Sequence, residues 1–396
     1  MKGWTEYKIA DAPFEIIDGD RGTNYPKQNE FSSQGYCLFL NAKNVTTEGW
    51  DFTECYFISE EKDRILRKGK LQRNDIVLTT RGTVGNIGFF NSRVPYNNIR
   101  INSGMVVIRP DQTEILPEYT YQLFKYLKSD FDVFATGSAQ PQLPIRDLKE
   151  ISIILPSVPE QRAIAGILSS LDDKIDLLHR QNITLEAMAA VLWRKMFVEE
   201  AGSDWKKGKL VDIAEINPFR SIKKGVISSY LDMSNMPTNG PFPAMWPQRE
   251  FTSGMKFKNG DTIIARITPC FENGKTAYVN FLSDAEIGWG STEYIVLSPK
   301  SRYSPEWFYF LARSEDFRNY AIQNMTGTSG RQRVSGESIA QYEIMIPPFK
   351  DSEQFGEFAG PIMEHIKHNS FEIRTLTKLS ETLLPKLMSG DMGVNI

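Results

Sequence analysis

The same order of signals runs through this sequence twice. Leu155-Pro156-Ser157-Val158-Pro159-Glu160-Gln161 opens a long helical pattern near the middle. Ile346-Pro347-Pro348-Phe349-Lys350-Asp351-Ser352-Glu353-Gln354 opens another towards the end. Each follows a mixed α/β stretch of similar size, so the chain reads as globule, long helix, globule, long helix. A duplication of this period fixes the architecture before any shorter motif is weighed. The globules are expected at residues 1–155 and 201–346, the helices at 156–200 and 347–396.

Anchors keep their order across the halves. Trp4-Thr5-Glu6-Tyr7-Lys8-Ile9 parallels Trp205-Lys206-Lys207-Gly208-Lys209-Leu210. Asn74-Asp75-Ile76-Val77-Leu78 and Gly260-Asp261-Thr262-Ile263-Ile264 are each a turn signal followed by a β-rich run. Asn102 to Ile108 answers Gly290 to Val296, again strand-like, and Leu116-Pro117-Glu118 and Ser304-Pro305-Glu306 both begin aromatic-rich helices. Ala135-Thr136-Gly137-Ser138 matches Met325-Thr326-Gly327-Thr328, a polar loop before the last strand of each globule. The spaced aromatics Tyr119, Tyr121, Phe124 and Tyr126, with Phe308, Tyr309 and Phe310, read as core.

In the rods the apolar residues recur at alternating steps of four and three. Leu168, Leu171, Ile175, Leu178 and Leu185 form a heptad seam in the first, and Ile362, Ile366, Ile373, Leu376 and Leu383 form one in the second. One constant offset carries Pro156 to Pro347, Leu171 to Ile362, Ile175 to Ile366 and Leu185 to Leu376, whereas the Glu-Gln pair falls two residues late, implying a small local gap. Each seam holds one asparagine, Asn182 and Asn369, and polar seam residues fix register at a cost in stability. Antiparallel packing with the asparagines facing would set Leu178 against Ile373, Leu185 against Ile366, Ile175 against Leu376 and Leu168 against Leu383. A rod of about forty residues is ~60 Å long, a length that suits two half-sites displaced along a duplex whose repeat is ~34 Å.

Composition excludes several classes. There is no apolar run long enough to span a bilayer, and Met1-Lys2-Gly3-Trp4-Thr5-Glu6 lacks the pattern of a signal peptide, so a cytoplasmic location is expected. Cys37, Cys55 and Cys270 form no CxxC pair, and with three histidines they do not make a structural zinc set; they are expected to be reduced and mostly buried. The net charge of −3 does not advertise nucleic-acid binding, although a global sum can hide a basic face. No catalytic constellation emerges. Gly274-Lys275-Thr276 has the tail of a phosphate loop, but Pro269 stands where its first glycine belongs. Ile216-Asn217-Pro218-Phe219 lacks the second proline of the Asn-Pro-Pro-aromatic signature of amino-methyltransferases. Both read as turns, and His179, His365 and His368, all in rods, read as solvent-facing or seam-edge.

The twofold globule–helix order, Leu155-Pro156…Pro159-Glu160-Gln161 with its following seam, Pro347-Pro348…Glu353-Gln354 and the closing Leu383-Leu384-Pro385-Lys386-Leu387 together resemble the specificity subunit of a type I restriction-modification system. The resemblance covers essentially the whole length. It implies an α+β fold of two similar target-recognition domains, separated by two long helices packed as an antiparallel coiled coil with pseudo-twofold symmetry. It implies a non-catalytic chain that reads the two halves of a split double-stranded DNA sequence while its helices set the spacer. Two modification (methyltransferase) subunits are expected to dock on the helices and restriction (endonuclease/translocase) subunits to join them in a prokaryotic cytoplasm. No cofactor is expected in this chain; S-adenosylmethionine, ATP and magnesium would belong to those partners.

The DNA-contact candidates are polar and basic residues in loops between strands. In the first globule they are Lys43, Asn44, Thr80, Arg81, Thr83, Asn98, Arg100, Ser138, Gln140 and Gln142. In the second they are Arg266, Thr268, Trp289, Ser291, Ser329, Arg331, Gln332 and Arg333. Arginine can grip guanine bidentately and Asn or Gln adenine, while hydroxyls and backbone amides clamp phosphates. The rival from another class is a repeat-built adaptor that binds only proteins, which the acidic net charge favours slightly.

Overall fold

The computed structural model describes residues 3–47, 49–137, 141–300 and 302–394. They form two compact units, Met1–Asp173 with Lys378–Ile396, and Lys174–Thr377. The boundary therefore falls inside both long helices. Among the described residues no helix is long and apolar enough to cross a membrane.

Within the first unit, Thr5–Lys8 pairs antiparallel with Ser152–Leu155 and closes the globule. A four-stranded antiparallel sheet has the order Phe14–Asp18, Met105–Pro110, Ile76–Thr79, Ile87–Phe89. A smaller sheet sets Cys37–Phe39 between Phe57–Ile58 and, in parallel, Ile99–Arg100. The second unit repeats this topology. Lys206–Lys209 pairs with Glu343–Ile346, the four-stranded order is Ala214–Ile216, Tyr294–Pro299, Thr262–Ala265, Thr276–Tyr278, and Ile227–Leu231 runs parallel to Gly288–Gly290.

The β-rich runs feed two cores because successive side chains point to opposite faces. Ile76, Leu78, Val106 and Ile108 pack against the helical layer with Tyr119, Leu123 and Phe124, while Val77, Met105 and Val107 pack against the smaller sheet with Leu38 and Ile99. In the second unit Ile264, Ile295 and Leu297 face Trp307, Phe308 and Phe310, while Ile263, Tyr294 and Val296 face Leu231 and Phe257. A strand buried on both faces needs the near-continuous apolar run that the sequence shows. The aligned turns are also alike: Asn74 (φ 78°) and Gly260 (φ 92°) take left-handed backbone, and Asp75 and Asp261 each accept an amide from three residues upstream at 2.7 Å.

Two correspondences expected from the sequence differ in the structure. Met105 pairs with Thr79 and Tyr294 with Ala265, so Gly104 corresponds to Glu293, one residue away from the sequence alignment of that strand. A slip of one residue exchanges every side chain between faces, so the buried pattern selects the structural register. The Glu-Gln pairs are likewise not counterparts. Gln161 is buried and its Oε1 accepts the Leu116 amide at 2.9 Å, while Ser352, at the constant offset, accepts the Ser304 amide at 3.0 Å. Both tie a long helix to the start of an aromatic helix, so no gap is needed and Glu353 and Gln354 stay exposed.

The central helix spans Val158–Arg194 and runs into a π-helical turn, Lys195–Glu199. The C-terminal helix spans Phe349–Met388 and continues through the exposed Pro361. In the second unit their antiparallel sense is fixed by two contacts: Phe197 meets Phe355 with ring centroids 5.5 Å apart, and Asn369 donates to the Asn182 side-chain oxygen at 2.8 Å. In the first unit Ile164 and Leu168 share a core with Leu383, Leu384 and Leu387. Asn369 is 2% exposed and Asn182 is half-buried, so the facing asparagines form a largely desolvated polar pair within a mostly apolar seam. Asn369→Leu leaves the Asn182 amide with only a long contact to Ser370 (3.5 Å) and is expected to cost about 1–3 kcal/mol in urea unfolding. Asn182→Leu with Asn369→Leu should recover most of that loss.

Candidate nucleic-acid interface

In each unit three loops meet at one end of the four-stranded sheet, and backbone hydrogen bonds join them. In the first, the Thr80 amide donates to the Gly104 carbonyl at 2.8 Å and the Leu143 amide donates to the Thr80 carbonyl at 2.8 Å. Thr136 and Gln142 exchange amide–carbonyl bonds at 2.8 and 2.9 Å, which folds the Thr-Gly loop back on itself. In the second, the Arg266 amide donates to the Glu293 carbonyl at 2.9 Å, the Val334 amide to the Arg266 carbonyl at 3.0 Å, and Thr326 and Arg333 exchange bonds at 3.0 and 2.8 Å. The pattern makes Thr80 the counterpart of Arg266, Gly104 of Glu293 and Gln142 of Arg333. Each unit thus presents the same composite edge with different side chains.

Several candidates gather on these edges. Arg81, Thr83 and Gln142 lie on the first. Among the described residues, the Arg81 guanidinium has no hydrogen-bond or ion-pair partner, which leaves its donors available. Ser138 and Gln140 lie outside the described residues. On the second edge sit Arg266, Ser291, Ser329, Arg331, Gln332 and Arg333. Arg331 and Ser329 are exposed, and the Arg331 side chain likewise has no partner among the described residues. Thr268 is mostly buried, and its hydroxyl accepts the Gln332 amide at 3.0 Å, so it fastens the loop. Ser291 caps locally, accepting the Glu293 amide at 3.1 Å.

Other candidates are buried or committed to partners within the fold. Asn44 is 1% exposed and donates to the Asp51 and Glu54 carbonyls, closing its own loop. Lys43 is exposed beside it and ion-paired to Glu54 at 2.8 Å. The Thr80 side chain is buried, so its part in the edge is through its backbone. Asn98 is half-buried and its carbonyl accepts the Leu38 amide at 2.9 Å. Trp289 is buried on the Gly288–Gly290 strand, 4.4 Å from Tyr230 and 5.3 Å from Phe251 between centroids. Arg100 is the clearest correction. Its guanidinium bonds Asp63 at 2.5 Å and the carbonyls of Lys68, Asp63 and Leu66 at 2.7–3.0 Å, with 6% of the side chain exposed.

Sequence reasoning missed Glu293. Its carboxylate accepts Arg333 Nε at 2.9 and 3.0 Å and Nη2 at 2.8 Å, and Arg266 Nε lies 3.9 Å away. The Arg333 hydrogen bonds hold its pKa below the ordinary carboxylate value against some burial. A strand-edge glutamate in one copy opposite an uncharged residue in the other (Met105 in the sequence alignment, Gly104 in the structural register) is the signal that would have marked it.

A family model described as the type I restriction modification DNA specificity domain matches residues 1–187 and again 202–369. A specificity subunit of the type I restriction enzyme MjaIX from Methanocaldococcus jannaschii is 25% identical over 374 residues, 84% of this chain and 79% of the relative. The HindI specificity subunit of Haemophilus influenzae is 25% identical over an alignment of 474 residues, covering 99% and 100%. In fold the chain is similar to a crystal structure of the type I restriction-modification S subunit from M. genitalium, with a TM-score of 0.56, 18% identity and 98% and 96% coverage. With the domain matched twice along nearly its whole length, this chain belongs to the type I restriction modification DNA specificity family.

Proposed function

We propose that this chain is the recognition subunit of a type I restriction-modification complex and carries out no chemistry itself. Each composite edge reads one half of a bipartite double-stranded DNA target. The two long helices set the spacing of the halves and dock two modification subunits, and restriction subunits join that assembly. S-adenosylmethionine, ATP and magnesium would act in those partners. One observation carries this reading: the same three-loop edge is built twice, once per unit, with different side chains at three equivalent positions, Thr80 and Arg266, Gly104 and Glu293, Gln142 and Arg333. A common frame with divergent side chains suits two readers of unlike sequences, because loop residues carry specificity on a shared scaffold. The protein-only adaptor has no comparable observation in its favour.

The test is selection from a random duplex library by the full chain assembled with its modification subunits. Two short conserved blocks separated by a gap of fixed length are expected. A single contiguous block, or no enrichment, overturns the proposal.

A further inference from the structure

We infer that Glu293 is a positioning residue that restrains the arginines of the second edge and so suppresses binding to DNA of the wrong sequence. This inference rests on the proposed reading of that edge as a DNA reader. Three hydrogen bonds of 2.8–3.0 Å occupy the planar fork of Arg333, the face that would otherwise take a phosphate or a guanine edge. Arg333 Nη1 is engaged as well, donating to the Arg331 carbonyl at 3.0 Å. Arg266 is served less well. Its Nε stands 3.9 Å from the same carboxylate, buried and without a hydrogen-bond partner. One carboxylate therefore faces two guanidiniums, and the group keeps a net positive charge.

Among the described residues the first unit has no counterpart of this group: Thr80, Gly104 and Gln142 occupy the three equivalent places without a formal charge. Glu293 is thus not required by the shared frame, whose backbone bonds form equally well around Gly104. A random duplex offers chiefly phosphates, and exchanging a well-placed carboxylate for a phosphate gains Arg333 little. A correct half-site adds base-edge acceptors, which tip that exchange. The carboxylate so converts a non-specific cation into a conditional one.

The experiment measures affinity of the full chain, assembled with its modification subunits, for a random duplex and for the selected target across a fourfold range of salt. Neutralising Glu293 with Glu293→Gln should steepen the salt dependence on the random duplex by about 0.9 in slope for one freed arginine, a difference of roughly 3.5-fold across that range. Target affinity should change less, so discrimination falls. Glu293→Asp, which keeps the charge, should stay near the wild-type slope. Glu337→Gln removes a nearby charge that has no hydrogen bond to either arginine and should leave the slope alone. A wild-type slope for Glu293→Gln, or an equal steepening by Glu337→Gln, overturns the inference. If Glu293→Gln does not assemble, Arg333→Gln serves. Glu293 would then turn wholly to Arg266 and flatten the slope by about 0.9, and an unchanged slope overturns the inference. Failure of the wild-type complex to prefer any target sinks the DNA-reading proposal and this inference together. Preference in the wild type with no effect of Glu293→Gln sinks only the inference.

Discussion

Arg100→Leu is expected to destabilise the first unit by about 3–5 kcal/mol, the range for a buried pair broken from one side. Asp63 would keep its place under the small sheet with 4% of its side chain exposed, and three carbonyls would lose their donor. Lys70 also contacts Asp63 but is itself 40% exposed, so it would offset only part of the loss. The pH dependence follows from the sign of the shift. Burial works to raise the Asp63 pKa, yet hydrogen bonds from Lys70 and Arg100 leave it below the ordinary carboxylate value. In the wild type the pair therefore contributes stability above the unfolded pKa and loses it as pH falls through the lowered folded value. In the variant burial dominates, and protonation relieves the uncompensated charge. The penalty should be largest near neutrality and shrink towards pH 4 (about where free carboxylates titrate). Urea unfolding of both proteins at two pH values checks this. An unchanged midpoint with lost DNA affinity would instead return Arg100 to the interface.

That residue also shows where the sequence stops being legible. Asp75 with Asn74, and Asp261 with Gly260, could be aligned because their turn chemistry is local, spanning three residues in each copy. The asparagine pair was readable because a heptad seam constrains both partners to one register. Arg100 was not, since its partner Asp63 lies on a short helix 37 positions away, and nothing around Ile99 separates a buried arginine from a loop arginine. Trp289 failed for the same reason: a Gly-Trp-Gly run looks like an exposed turn, but flanking glycines also let neighbouring groups approach a buried strand closely. Here the Gly290 position lies 2.3 Å from the Leu231 carbonyl oxygen, measured from where a Cβ would stand. The paired acidic anchor was only half visible. Asp75 takes its arginine from the strand (Arg109, 2.8 Å), whereas Asp261 takes Arg220 from the loop after Ala214–Ile216 (2.8 Å), with Ser298 in the place of Arg109. The charge pair persists in space while its sequence address moves. The candidate interface follows the same rule: the order of the loops is legible in the sequence, but which side chains face outward is set by contacts between loops.

The largest functional effect is expected from Arg266→Ala combined with Arg331→Ala. Arg331 is exposed and unpaired among the described residues, and Arg266 has only a distant share of Glu293, so these two hold the donors least committed to the fold. If each grips a base edge, the pair is worth roughly 2–6 kcal/mol of discrimination at the second half-site. Folding should be little affected, because among the described residues neither guanidinium satisfies a carbonyl or closes a hydrogen-bonded loop, and the Arg266 backbone bonds to Glu293 and Val334 do not depend on its side chain. Four duplexes separate the possibilities: the selected target, each half scrambled in turn, and both scrambled. The variant should lose most of its preference for the target over the duplex with a scrambled second half, keeping only the share that Arg333 supplies, yet still reject a scrambled first half. That asymmetry follows from the edge bearing Arg81 and Gln142 belonging to the other compact unit. A uniform loss on all four duplexes would assign both arginines to phosphates, since backbone contacts weaken binding without regard to sequence. Full retention of second-half discrimination would remove them from the interface, leaving Arg333, Gln332 and Ser329 as the readers on that edge.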